Sequence, residues 1–122
     1  MILVDTSVWI DHLHHHEAGL SALLERGEVL MHPLVIGELA CGSLRARATV
    51  LRLLQQLPAA AEAGHGEALR FLDHHRLMGR GIGYVDVHLL ASAALGGDVR
   101  LWTRDRRLAA AAAELGLGGT GR

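Results

Sequence analysis

The chain reads as a single α/β domain with a mainly parallel central sheet flanked by helices. Short apolar runs rich in β-branched residues alternate with longer segments whose apolar residues recur at helical spacing, a pattern that favours right-handed crossovers between parallel strands. With 122 residues, half of them apolar, the chain can bury roughly two thirds of its unfolded surface in one core. No internal repeat or interdomain linker breaks the pattern.

Ile2 to Val4 is the first strand. Asp5, Thr6 and Ser7 follow with side chains able to accept hydrogen bonds from the first amides of a helix, whose apolar side is Val8, Trp9, Ile10 and Leu13. A second helix spans about Ala18 to Arg26 and stops at Gly27. Val29 to Met31 is the second strand, and His32 and Pro33 start a helix through Leu44, with Pro where a missing amide costs nothing.

The next helix covers Arg45 to Gln56, with Val50, Leu51, Leu54 and Leu57 on one side, and Pro58 ends it. Ala59 to Ala61 makes a poor strand, and Glu62 to Leu77 is helical by pattern. Gly79, Gly81 and Gly83 break the chain ahead of a helix from Asp86 to Leu95, which Gly96 and Gly97 end. Val99 to Thr103 is a clear strand, Arg106 to Leu115 an Ala-rich final helix, and 118–122 a frayed tail.

Bulk properties narrow the function. No apolar run approaches the roughly 20 residues of a membrane span, so a soluble, cytoplasmic protein is expected. Cys41 is the only cysteine, which excludes an intramolecular disulfide and a thiolate-rich zinc site; in its helix it reads as a small core residue. The net charge is −1 and every cation is an arginine, so a basic surface for nucleic acid has to be local.

Four acids stand where an acid is locally out of place: Asp5 ending a strand, Glu38 in an apolar helix, and Asp86 and Asp105 opening helices. Each has a plain alternative. Asp5, Asp86 and Asp105 fit as helix caps, and Glu38 fits as a partner of Arg45 or on a polar stripe. If the fold gathers them, their mutual repulsion calls for a cation, and hard carboxylate oxygens suit magnesium or manganese. Asp5 also lies at the carboxyl end of a strand, where open α/β sheets place their ligand crevice. His14, His15 and His16 read as a solvated helix end, and His74, His75 and His88 as surface or groove residues.

The motifs around these acids resemble those of the PIN-domain ribonucleases, in particular the VapC-type toxins of bacterial toxin–antitoxin pairs. The resemblance is carried by Ile-Leu-Val-Asp-Thr-Ser-Val-Trp-Ile-Asp at the start, by Pro-Leu-Val-Ile-Gly-Glu-Leu, by Gly-Ile-Gly-Tyr-Val-Asp-Val-His-Leu-Leu-Ala-Ser-Ala, and by Leu-Trp-Thr-Arg-Asp, in the family's order. It implies a PIN-like domain in which Asp5, Glu38, Asp86 and Asp105 are catalytic and hold one or two Mg2+ or Mn2+ ions, with Thr6 and Thr103 in support. The Arg-Arg-Leu that follows Asp105 departs from the commoner acidic or aromatic continuation.

The implied reaction is hydrolysis of RNA phosphodiesters to 5′-phosphate and 3′-hydroxyl ends, with Arg80 and Arg104 as phosphate contacts. The implied partners are a small cognate antitoxin and a second copy of the chain in a homodimer. A nuclease of RNA processing, one acting on DNA, and a non-catalytic interaction module are the competing readings. Covalent phosphoryl transfer through Asp5 is disfavoured, because the chain lacks the lysine that holds the phosphoryl oxygens and has Ser7 where a second acid is wanted.

Overall fold

A computed structural model describes residues 1–120. Three strands, β1 (Ile2–Val4), β2 (Val29–Leu30) and β3 (Arg100–Trp102), form a parallel sheet in the order β2-β1-β3. Their burial explains the choice of residues. Leu3 and Val4 are fully enclosed and Val29 and Leu101 nearly so, as expected for a parallel sheet covered on both faces.

Seven helices surround the sheet among the described residues: α1 (Thr6–His15), α2 (Ala18–Glu25), α3 (Pro33–Ala40), α4 (Arg47–Leu54), α5 (His65–His74), α6 (Tyr84–Leu95) and α7 (Arg106–Glu114). Two isolated parallel bridges widen the sheet, Met31 with Ala59 and Leu101 with Gly118. The first is the remnant of the weak strand expected at 59–61. The second places Gly118 against the sheet, where fraying was expected from 118 onward; 121 and 122 lie outside the described residues.

Register positions the site. Val4 pairs with Trp102 and Leu3 with Leu30, so the residues that follow each strand emerge at one edge of the sheet. Asp5, Met31 and Thr103 therefore start their connections side by side. Helix α3 begins directly after β2, with His32 as N-cap accepting from the Leu34 amide at 3.0 Å through Nδ1. It ends at Ala40 rather than Leu44, and Cys41 at its C-cap is exposed, not a core residue.

Two other expectations are corrected. Helix α6 starts at Tyr84, because Gly83 takes the extended N-cap position, and Asp86 thereby falls in the first turn instead of at the cap. His88, read as a surface or groove residue, is 7 % exposed, on the flank of α6 that packs inward. In and just after α4 the apolar side turns to the core, as its spacing allowed: Leu54 is buried, and Val50 and Leu57 pack against the interior.

Candidate active site

Asp5 is 6 % exposed, and a buried carboxylate needs hydrogen bonds in place of water. Two hydroxyls supply them: Thr103 Oγ1 donates to Asp5 Oδ2 at 2.7 Å and Ser7 Oγ donates to the same oxygen at 2.8 Å. Asp5 holds the N-cap position of α1, yet its side chain makes no capping bond. The capping alternative is thereby removed for this residue.

Glu38 projects from α3 and is exposed, so the cost of burying a carboxylate does not bear on it. Its partner is a hydroxyl rather than Arg45: Thr6 Oγ1, at the start of α1, donates to Glu38 Oε1 at 2.6 Å. This bond ties the helix that follows β1 to the helix that follows β2. Its acceptor points to the same edge as Asp5.

Asp86 accepts from the Gly83 amide at 2.9 Å through Oδ2. Asp105 caps α7 in the full sense, accepting through Oδ1 from the amides of Arg107 at 2.9 Å and Leu108 at 3.0 Å. Its own amide donates to Thr103 Oγ1 at 3.0 Å, which makes Thr103 a direct link between Asp5 and Asp105.

Electrostatics ties the four acids together. Burial pushes the Asp86 carboxyl above the ordinary carboxylate range, and the charges of Asp5, Asp105 and Glu38 raise it further, against the opposing Gly83 hydrogen bond. All three other acids are thus within reach of Asp86, although they are far apart in sequence. Among the described residues, each acid also has one oxygen engaged in a hydrogen bond and one without a hydrogen-bond partner.

No three His, Cys, Asp or Glu side chains among the described residues stand at mutual coordination distance; the acids share a field rather than a closed cage. The donor set nonetheless fits a hard divalent cation. It is all carboxylate oxygen, its members are oriented through their second oxygens, and its repulsion at Asp86 is the kind that a cation relieves.

The arginines chosen from the sequence are both engaged. Arg80 pairs with Glu114 at 2.7 Å, and Arg104 with Asp11 at 2.9 Å and Glu17 at 2.5 Å. The Arg104 guanidinium also lies over the Trp102 ring, and its amide donates to Ser7 Oγ at 3.0 Å. Ser7 was not singled out as part of the site, although its place in Asp-Thr-Ser just past a strand end carries the signal. A groove of about 840 Å³ lies elsewhere, between the end of α1 and the α3–α4 connection, lined in part by Leu13, His15, Leu44 and Val50.

The parallel α/β fold agrees with comparison to known families, where the PIN domain model matches residues 2–114. The chain belongs to the PIN-domain family. Within it the similarity is to VapC-type members: the chain is 55 % identical over 117 residues to Ribonuclease VapC32 of Mycobacterium tuberculosis strain CDC 1551 / Oshkosh, covering 96 % of this chain and 94 % of the relative. The same figures hold for Ribonuclease VapC32 of strain ATCC 25618 / H37Rv.

Proposed function

We propose that this chain is a metal-dependent endoribonuclease acting as the toxin of a toxin–antitoxin pair, with Asp5, Glu38, Asp86 and Asp105 as its catalytic and metal-holding residues. The observation that carries the reading is the placing of Asp86, whose carboxyl feels the charges of Asp5, Asp105 and Glu38 from three other parts of the chain. The name and high identity of the VapC32 relatives support the ribonuclease and toxin assignment. When bound, magnesium or manganese supplies charge neutralisation and Lewis acidity toward a phosphodiester.

The chain's own residues prepare that chemistry. Thr103 and Ser7 hold Asp5, Thr6 orients Glu38, the Gly83 amide orients Asp86, and the first amides of α7 orient Asp105. Each leaves one carboxylate oxygen for a ligand, so every acid is held by a neighbour before a cation arrives, and the acids have only to draw together around it. Arg80 and Arg104 serve as phosphate contacts on exchange of their carboxylates for phosphate; exposed pairs of this kind are worth only about 0–1 kcal/mol.

The remaining parts of the proposal are a chain acting as one PIN domain, a small cognate antitoxin over the active-site groove, a homodimer, and action in the cytoplasm. No helix among the described residues is long and apolar enough to cross a membrane. Incubation of RNA and matched DNA hairpins with the purified protein and Mg2+ or Mn2+ tests the activity. Cleavage of RNA only, lost in Asp86→Asn, is the expected result; equal cleavage of DNA overturns the substrate assignment.

A further inference from the structure

Arg107 differs from the other arginines of the site. It is the second residue of α7, two positions after Asp105, and its main-chain amide bonds the Asp105 carboxylate. Its side chain runs across to the Gly-rich connection that leads into α6 and Asp86. There it lies on Gly81, so closely that a Cβ at position 81 would fall 2.4 Å from Arg107 Nη1, 2.6 Å from Cδ and 3.0 Å from Cζ.

Gly81 suits its place through its φ of +77°, in the left-handed region, and its lack of a side chain leaves room there for the Arg107 side chain. Arg107 is exposed, and among the described residues it makes no ion pair within 4.0 Å, whereas Arg80 and Arg104 are paired. A cation beside acidic residues ordinarily folds onto one of them. This one lies instead along the Gly81 backbone, between the segment that leads to Asp86 and the helix that Asp105 caps.

We propose that Arg107 is a further phosphate-binding residue of the site beside Arg80 and Arg104, a guanidinium that rests on Gly81 and meets the RNA backbone without first leaving a carboxylate. A phosphate is the ligand that suits it, since the planar fork offers two parallel N–H donors to two phosphate oxygens. The inference rests on the nuclease reading and deepens it. It assigns substrate contact to a residue that the resemblance does not mark, and it gives the Gly-Arg-Gly-Ile-Gly connection a purpose beyond turning the chain.

The test compares wild type, Arg107→Gln, Arg107→Lys and Arg106→Gln, the last removing the same charge from the neighbouring position. The probe is a fluorescently labelled, mixed-sequence single-stranded oligoribonucleotide. Cleavage is followed in Mn2+, binding by polarisation in the Asp86→Asn background, and Mn2+ affinity by calorimetry. In Arg107→Gln, kcat/KM is expected to fall at least about tenfold and RNA affinity with it. The slope of log affinity against log salt should flatten by about 0.7, the value for one phosphate contact on a single strand.

Mn2+ affinity is expected to stay within about twofold, Arg106→Gln to remain near wild type, and Arg107→Lys to recover the salt slope with part of the affinity. Wild-type binding and salt slope in Arg107→Gln overturn the proposal, as does a loss of activity with unchanged slope, which marks a merely structural strut. Failure of the nuclease reading looks different: wild type then neither binds Mn2+ nor cleaves, and the polarisation series still decides whether Arg107 contacts RNA.

Discussion

Thr103 Oγ1 donates to Asp5 Oδ2 at 2.7 Å across 98 residues of sequence, and Thr103 Oγ1 itself accepts from the Asp105 amide at 3.0 Å. One hydroxyl thus sets the carboxylate after β1 and the cap of α7. The pairing of Val4 with Trp102 makes this possible, because it brings the residues after both strands together.

Replacing Thr103 by Val removes both bonds at nearly constant volume. Hydrogen bonds to charged groups contribute about 1.5–3 kcal/mol, so urea denaturation is expected to show a loss of about that size, and kcat a fall of at least about tenfold. Thr103→Ser, which keeps the hydroxyl, should retain most of both. A Thr103→Val protein with wild-type kcat would mean that Asp5 needs no such support.

Asp86 predicts a conflict between stability and function. Burial and the neighbouring carboxylates raise its folded pKa above the ordinary carboxylate value of 3.8, so the native state holds its proton more tightly than the unfolded chain does. Stability therefore declines as pH rises from about 3.8 through the raised value, and at neutral pH the ionised group destabilises the metal-free fold. Asp86→Asn, still able to accept from the Gly83 amide, should melt at a higher temperature than wild type in EDTA near pH 7, with the difference vanishing in acid.

Adding Mn2+ reverses that order. A ligand at one hundred times its Kd stabilises the native state by about 2.7 kcal/mol, and wild type should gain this while Asp86→Asn gains less. Equal metal-induced shifts in the melting temperature of the two proteins would remove Asp86 from the metal site.

His32 makes an acid-sensitive point in the core. It is 2 % exposed, its Nδ1 accepts from the Leu34 amide, and burial lowers its pKa below 6.5, with Glu62 raising and His88 lowering it in turn. A lowered histidine contributes stability above pH 6.5 that is lost as pH falls from there through the folded value. His32→Asn, which can still cap α3, should flatten the decline in stability below pH 6.5. An unchanged decline would place the acid sensitivity elsewhere, His12 being the other histidine lowered by burial.

Gly81→Ala tests the connection before Asp86. A left-handed φ and contact with Arg107 both oppose a methyl group there, and the backbone alone accounts for roughly 1 kcal/mol. Thermal denaturation should show at least that loss. A neutral or stabilising change would contradict the left-handed backbone at Gly81.

Much of this fold was legible in the sequence because each part rests on local chemistry. Ile2 to Val4 before Asp5, Pro33 opening a helix and Gly27 ending one are short-range signals, and they mark the same elements in the structure. The acids were legible as anomalies, but not for the right physical reason in every case. Glu38 was singled out for its apolar neighbours in the helix; it is exposed, and a hydroxyl 32 residues away, not Arg45, orients it.

What remained hidden depends on contacts between distant segments. Whether Asp5 caps its own helix or turns to Thr103 is decided by strand register, and which face of α6 packs inward decides the burial of His88. Asp86 moved into the first turn because Gly83, extended at φ −94°, took the cap. The seat of Arg107 on Gly81 joins positions 26 residues apart, and three alternating glycines announced only a turn.

The central claim is that four acids at one sheet edge form a metal-dependent ribonuclease site. The most direct measurement maps RNA ends after incubation with wild type and with Asp5→Asn in Mg2+, with and without EDTA. The account predicts internal cleavage leaving 5′-phosphates for wild type in Mg2+ alone, reduced at least about a thousandfold in Asp5→Asn. Cleavage that persists in EDTA or in Asp5→Asn, or a wild-type protein that binds metal and leaves every RNA intact, would contradict it.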